Sequence, residues 1–372
     1  MRHAAPLVVA VVMAVSCSQS TTASNPTASS ARAAVSSTPS ARTCPPSGGY
    51  GLLISQPDNG SPSKLELVDP KGCVQATAQV APASAHACSS GMASVLAPPV
   101  SASYTSVYFR DGDTKIRSIT LSGQTADVTT VPGGPNVVSS FSVSPDDKRI
   151  AVVVEDFSAL PAIGLQLYVE DLVGGGHHTV TFTTTLDTSK AGGANLWPLG
   201  WHQKSLVLLV VPACSFQQVQ NPIAWHVVDA DTGVRQFSVG TSTCIPGWWP
   251  SAYAFTCFDY TKKQTNFYDW SGVLGGTLAT ADGSPAEGPG AVALAMARPA
   301  SIGNTTPTTD IYYASGPDGP SKPVTVQGAA ACLWIDSQAL LAPAAVISLG
   351  RSLAIVPQTP GSRCAGRFPG GL

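Results

Sequence analysis

Short runs of alternating apolar and polar residues recur along the chain from about Tyr50 onward, and Leu165-Gln-Leu-Tyr-Val is the clearest. A period of two puts successive side chains on opposite sides of an extended segment, so each run predicts a strand. The runs belong to a larger unit: a strand ending in polar residues, a turn at Gly, and a returning strand. Segment 64–69 leads to Gly72 and then 74–80, and 115–121 leads to Gly123. Segment 165–171 leads to Gly174 and then 178–182, and 224–229 leads to Gly233 and then 234–239. Segments 266–270, 310–314 and 352–356 lead to Gly272, Gly319 and Gly361. The spacings between these glycines are 51, 51, 59, 39, 47 and 42 residues, with a mean of about 48.

Units of roughly 40–50 residues built from four strands are the mark of propeller blades. Seven turns predict an all-β chain folded as a seven-bladed β-propeller of four-stranded blades, with six or eight blades as alternatives. The first unit lacks an innermost strand, because 50–55 matches the second strand of the other units. The sequence leaves ring closure open. Residues 140–156 read Ser-Phe-Ser-Val-Ser-Pro-Asp-Asp-Lys-Arg-Ile-Ala-Val-Val-Val-Glu-Asp. This resembles the S-P-D-G-x-x-[IL]-A repeat of TolB-like, WD40-like propellers. The resemblance places Ser144-Pro145-Asp146 at a turn between two inner strands, with Asp147 where the family has Gly.

Composition agrees with many short strands and tight turns. The chain has 372 residues, 11% charged, with 35 Gly and 31 Pro. That is poor material for helical bundles or coiled coils. The formal net charge of −2 offers no basic face for nucleic acid.

The N-terminus reads as an address. Arg2 and His3 precede a twelve-residue apolar run, 4–15, which is signal-peptide length and too short for an ordinary membrane span. Ala14-Val15-Ser16-Cys17 resembles the bacterial lipoprotein lipobox, with Ala14 where that family prefers Leu. The resemblance implies cleavage after Ser16, a lipid on Cys17, and residence on the extracytoplasmic face of the cell membrane. Residues 18–43 include thirteen Ser or Thr among 26 and no acidic residue, which suits a disordered tether. The expected organisation is a signal peptide at 1–16, lipidated Cys17 and tether at 17–43, and a propeller at 44–372. Without Cys17, eight cysteines remain: Cys44, Cys73, Cys88, Cys214, Cys244, Cys257, Cys332 and Cys364. An even number in an exported chain predicts four disulfides. Proximity suggests Cys73–Cys88, and ring closure suggests a bridge from Cys44 or Cys332 to Cys364.

Chemistry-bearing motifs are sparse. No G-x-S-x-G elbow, phosphate-binding glycine loop or zinc spacing occurs, so no catalytic residue, metal or cofactor is assigned. Acidic pairs such as Glu155-Asp156 read as strand ends, His177-His178 as an exposed turn, and His226 as a strand residue. Trp197, Trp201, His202, Trp248 and Trp249 cluster in two segments read as preceding inner strands. They are candidates for a ligand or partner face. The expected function is a non-enzymatic, lipid-anchored interaction scaffold with an envelope protein as partner. A solute- or glycan-binding role at the channel mouth, or a cryptic hydrolase or lyase, are the alternatives.

Overall fold

The computed structural model describes residues 44–55, 61–88, 92–187, 193–215, 221–251, 255–288, 293–300, 305–313, 322–349, 354–357 and 361–372. Among these residues there are thirty strands and no helix. Seven four-stranded antiparallel sheets take twenty-eight strands, and one two-stranded pairing takes the rest. Successive sheets pack face to face, and the seventh packs against the first. The chain is a seven-bladed β-propeller, as the spacing of turn glycines predicts.

Blades 2 to 7 span 100–130, 137–187, 194–239, 244–279, 284–327 and 333–357. Within each, strands A to D run from the innermost to the outermost. Blade 1 is assembled from both ends of this domain. Its strands B, C and D are Tyr50–Ser55, Ser63–Val68 and Val74–Val80, and its strand A is Ser362–Phe368. The pairing of Leu53 with Cys364 and of Tyr50 with Phe368 therefore closes the ring that the sequence left open.

Alternation explains why the blades stack. In strand B of blade 1, Leu52 and Ile54 pack toward blade 2, while Leu53 packs toward blade 7. Each of the seven junctions holds one such buried apolar cluster. Every fully buried Leu or Phe contributes about 1.5–3 kcal/mol before its ordering entropy is set against it.

The turn glycines mark C–D turns in blades 1 to 5. Gly72, Gly123, Gly174, Gly233 and Gly272 all have positive φ, between 69° and 81°. Gly319 lies outside the described residues. Gly361 is a correction. It enters the closing strand after strand D of blade 7, Ala354–Pro357, and the C–D turn of blade 7 lies between Ser348 and Ala354. Among the described residues, the four strands of blade 7 have four residues each. Strand C therefore ends early, at Ser348, and the glycine of ring closure falls nearest the expected spacing.

The four disulfides are Cys44–Cys73, Cys88–Cys214, Cys244–Cys257 and Cys332–Cys364. Cys332 is the closure partner of Cys364, and the Cys73–Cys88 expectation is wrong. Cys73 stands at the C–D turn of blade 1 and Cys88 beyond the far end of the seven-residue strand D. That strand alone separates them by about 20 Å, against a limit of about 7 Å between bridged Cα atoms.

Candidate functional site

A meander puts the A–B and C–D turns of every blade on one face of the disc, and the B–C and D–A connections on the other. The connection from blade 1 to blade 2, described at residues 81–88 and 92–99, makes a long excursion over the second face. Ala81 and Ser84 donate backbone N–H groups to Asp111 and Asp113 of blade 2, each at 2.6 Å. Cys88 is bonded to Cys214 of blade 4, and Ala93–Ser94 pairs with Cys214–Ser215. Cys88 and Met92 cover Phe157 and Ile163 of blade 3. The backbone oxygen of Val95 accepts from Asn195 at 3.3 Å and from the Trp197 indole at 3.2 Å. The segment then returns past Ala97 and Pro98, which line the central channel.

The opposite mouth is crossed by the residues after the closing strand. Gly370 N–H donates to Ser103 O at 2.7 Å, and Leu372 N–H to Trp201 O at 2.9 Å. Between these two coverings the channel keeps a cavity of about 80 Å³, lined in part by Trp249, Glu287, Trp334 and Arg367. Ligand pockets run to roughly 300–1,000 Å³. Ser251 donates to Glu287 at 3.1 Å, and burial raises the pKa of that carboxyl.

The candidate aromatics do not precede inner strands. Trp197, Trp201 and His202 lie within strand A of blade 4, Ala194–His202. Trp248 and Trp249 follow strand A of blade 5, Cys244–Pro246. Trp201 is 2% exposed and donates its indole N–H to Ser142 O of blade 3 at 3.2 Å. Trp334 makes the same stitch from blade 7 to Ala286 O of blade 6, at 2.9 Å. Trp197 is buried against half-exposed Trp248, with ring centroids 5.7 Å apart. His202 stacks on Trp270 at 3.8 Å and its Nδ1 is 2.7 Å from Leu372 O. Of the five, Trp249 alone lines the channel cavity.

Glu155 and Asp156 are inside strand B of blade 3, Arg149–Ala159, not at its end. Glu155 is 1% exposed. Burial pushes its carboxyl up to about 7, although Asn195 and Arg110 pull the other way. Arg110 of blade 2 is buried too and donates from Nη1 to Ser139 O of blade 3. Burial lowers the Arg110 pKa, and Asp113 and Glu155 oppose that. This chain of polar groups ties blades 2, 3 and 4 beneath the long connection. His177 and His178 are exposed, as their turn suggested, and bond Asp171 at 2.7 Å and Glu170 at 2.8 Å. Among the described residues, no three His, Cys, Asp or Glu side chains converge as a metal site requires.

Asp147, which stands where the resembled repeat has Gly, takes a left-handed conformation with φ 60°. Its carboxylate accepts from Tyr108 at 2.7 Å and from Thr105, both in blade 2. The side chain thus repays part of the strain that a Cβ brings there.

Two surface features were not legible in the motifs. The first is an arc of apolar residues on the turn face. Val173, Val234 and Val273 are 74%, 63% and 60% exposed at the C–D turns of three successive blades. Tyr104, 61% exposed at the A–B turn of blade 2, faces the same way. The second is a cleft of about 740 Å³ between blades 3 and 4. Its walls include Leu165, Leu186 and Leu208, with His226 and Arg235 among the polar lining. Arg235 forms no ion pair among the described residues. His226 is half-buried, and burial together with Arg235 lowers its pKa. Gly233 also lines the cleft, and there a Cβ would collide with Thr181 of blade 3.

No family model and no curated protein matches the sequence. Solved structures do match the fold. Prolyl oligopeptidase B from Galerina marginata is similar over 74% of this chain, with 10% identity and a TM-score of 0.44. The match spans 40% of the oligopeptidase. BamB from Moraxella catarrhalis is similar over 82% of this chain and 84% of its own, with 10% identity and a TM-score of 0.40. Sqt1 from Saccharomyces cerevisiae is similar over 72% and 86%, with 10% identity and a TM-score of 0.41. At such identity the likeness is one of fold alone.

Proposed function

We propose that the protein is a non-enzymatic interaction module, held by a lipid on Cys17 at the extracytoplasmic face of the cell membrane. Its docking face is the turn face of blades 2 to 5. The observation that carries this reading is the arc of Val173, Val234 and Val273, with Tyr104 on the same face. An exposed Val standing alone is unremarkable; three at equivalent turns of adjacent blades form a repeated apolar contact surface. A tether of 26 residues holds that surface near membrane partners and raises its effective concentration there. Crosslinking in intact cells tests the reading. The native protein is expected to capture one reproducible envelope protein, and a Val173→Glu, Val234→Glu, Val273→Glu variant is expected to lose it at unchanged melting temperature. Capture that survives the triple change would reject this face. The Cys17→Ala variant is expected in the soluble fraction, and membrane retention would reject the anchor.

A second reading, solute binding, has an observation of its own. The channel cavity of about 80 Å³ is too small for a sugar ring with its hydroxyls, but the cleft between blades 3 and 4 is ligand-sized. A thermal shift with an apolar anion, lost in Arg235→Ala, would favour it over the scaffold.

A further inference from the structure

The outer strands of a propeller are edges, with one row of backbone N–H and C=O groups facing outward. Among the described residues, five of the seven edges are short or interrupted. Strand D has six residues with Asp127 in blade 2, and five beginning at Arg235 in blade 4. It has six with Gly275-Gly276 in blade 5, and four each in blades 6 and 7. In blade 1 it has seven residues, with a bulge at Gln75 and with Ala76, Ala78 and Val80 packed toward blade 2.

Blade 3 differs. Its strand D, Thr179–Asp187, has nine residues and reads Thr-Val-Thr-Phe-Thr-Thr-Thr-Leu-Asp. It carries no Pro, no Gly and no charge before its last position. No described strand pairs with its outer side. Val180 and Phe182 are 46% and 41% exposed. A bulge leaves Thr181 unpaired with strand C, and from Phe182 to Asp187 the ladder is regular. The usual devices that blunt an edge are missing from that regular stretch before Asp187.

The sequence of the stretch also says what fits it. Antiparallel self-pairing about a two-fold axis perpendicular to the sheet keeps like faces together, so residue i meets a residue of the same parity. Centred on Thr184, such pairing sets Phe182 opposite Leu186 of the second copy, and Leu186 opposite its Phe182. Thr183 meets Thr185 on the other side of the sheet. Aromatic–aliphatic and Thr–Thr pairs are favourable cross-strand neighbours. Asp187 meets Thr181, so no like charges are opposed. We propose that this edge binds a second copy of the chain, joining the two blade 3 sheets into one eight-stranded sheet across an isologous interface.

The test uses the purified full-length protein with its disulfides intact. Sedimentation equilibrium is expected to show a twofold rise in mass as concentration increases through the micromolar range. Phe182→Lys sets a charge on the edge and is expected to stay monomeric at an unchanged melting temperature. Thr184→Cys provides a readout independent of that variant. Directly opposed Cα atoms in an antiparallel pair are about 4.5–5.5 Å apart, within disulfide reach. Mild oxidation is expected to give a covalent dimer from Thr184→Cys and none from Thr125→Cys, on the edge of blade 2. A monomer at every concentration overturns the proposal, as does a dimer that survives Phe182→Lys and fails to crosslink through position 184. If Phe182→Lys instead abolishes capture of a different protein by a monomeric chain, the edge serves a foreign strand and self-pairing is overturned.

Discussion

Glu155 lies in a strand of valines, and burial lifts its carboxyl from 4.5 to about 7. The folded state therefore binds this proton more tightly than the unfolded chain does. The stabilisation is fully present below pH 4.5 and is lost as the pH rises through about 7. The loss is on the order of 3 kcal/mol. Urea unfolding between pH 5 and 8 is expected to show that fall in the native protein and a flatter profile in Glu155→Gln. Equal slopes would mean that Glu155 is ionised or compensated at all these values. At Asp147, Asp147→Ala keeps the strain of a positive φ and loses two hydrogen bonds, whereas Asp147→Gly loses the bonds alone. The alanine variant is expected to melt lower, by about 1–2 kcal/mol in stability. Asp147 was legible as a departure from the repeat. Glu155 was not, because an acidic pair after an apolar stretch reads the same whether its side chains face water or the next blade.

Strands and turns were the most legible features, because the C–D turns of blades 1, 3, 4 and 5 combine an Asp with a Gly. Asp69, Asp229 and Asp269 all accept turn backbone N–H groups through Oδ1. The disulfides were legible in number and not in pairing, since pairing depends on which end of a strand each cysteine occupies. Their contributions should differ. In the chain-entropy view, Cys88–Cys214, separated by 126 residues, constrains the unfolded chain more than Cys244–Cys257, separated by 13. The corresponding estimates are about 5 and about 3 kcal/mol. Replacing Cys88 and Cys214 by Ser is expected to lower the denaturation midpoint further than replacing Cys244 and Cys257. The reverse order would show that strain or packing outweighs loop entropy. The candidate aromatics were legible as a cluster and misplaced by several residues, because strand A and its turn are both rich in Trp, Pro and Gly here.

For the whole molecule, closure is the decisive link. Strand A of blade 1 comes from Ser362–Phe368 and is clipped to blade 7 by Cys332–Cys364. A chain ending at residue 361 would leave Leu52 and Leu53 without their inner neighbours. It is expected to lose the single cooperative unfolding transition of the native ring; a single transition at the native midpoint would show that closure adds little. The path of the long connection, residues 81–99, carries a further consequence for biogenesis. A chain that emerges from its N-terminus presents Cys44, Cys73 and Cys88 together, long before Cys214 exists. The thiol nearest to Cys88 at that moment is Cys73, the partner it must not keep. The proximity that misleads a reader of the sequence would mislead an oxidant too. Rapid oxidation of the nascent chain should trap Cys73–Cys88, and blade 4 can be locked to the face of the disc only after thiol exchange has undone it.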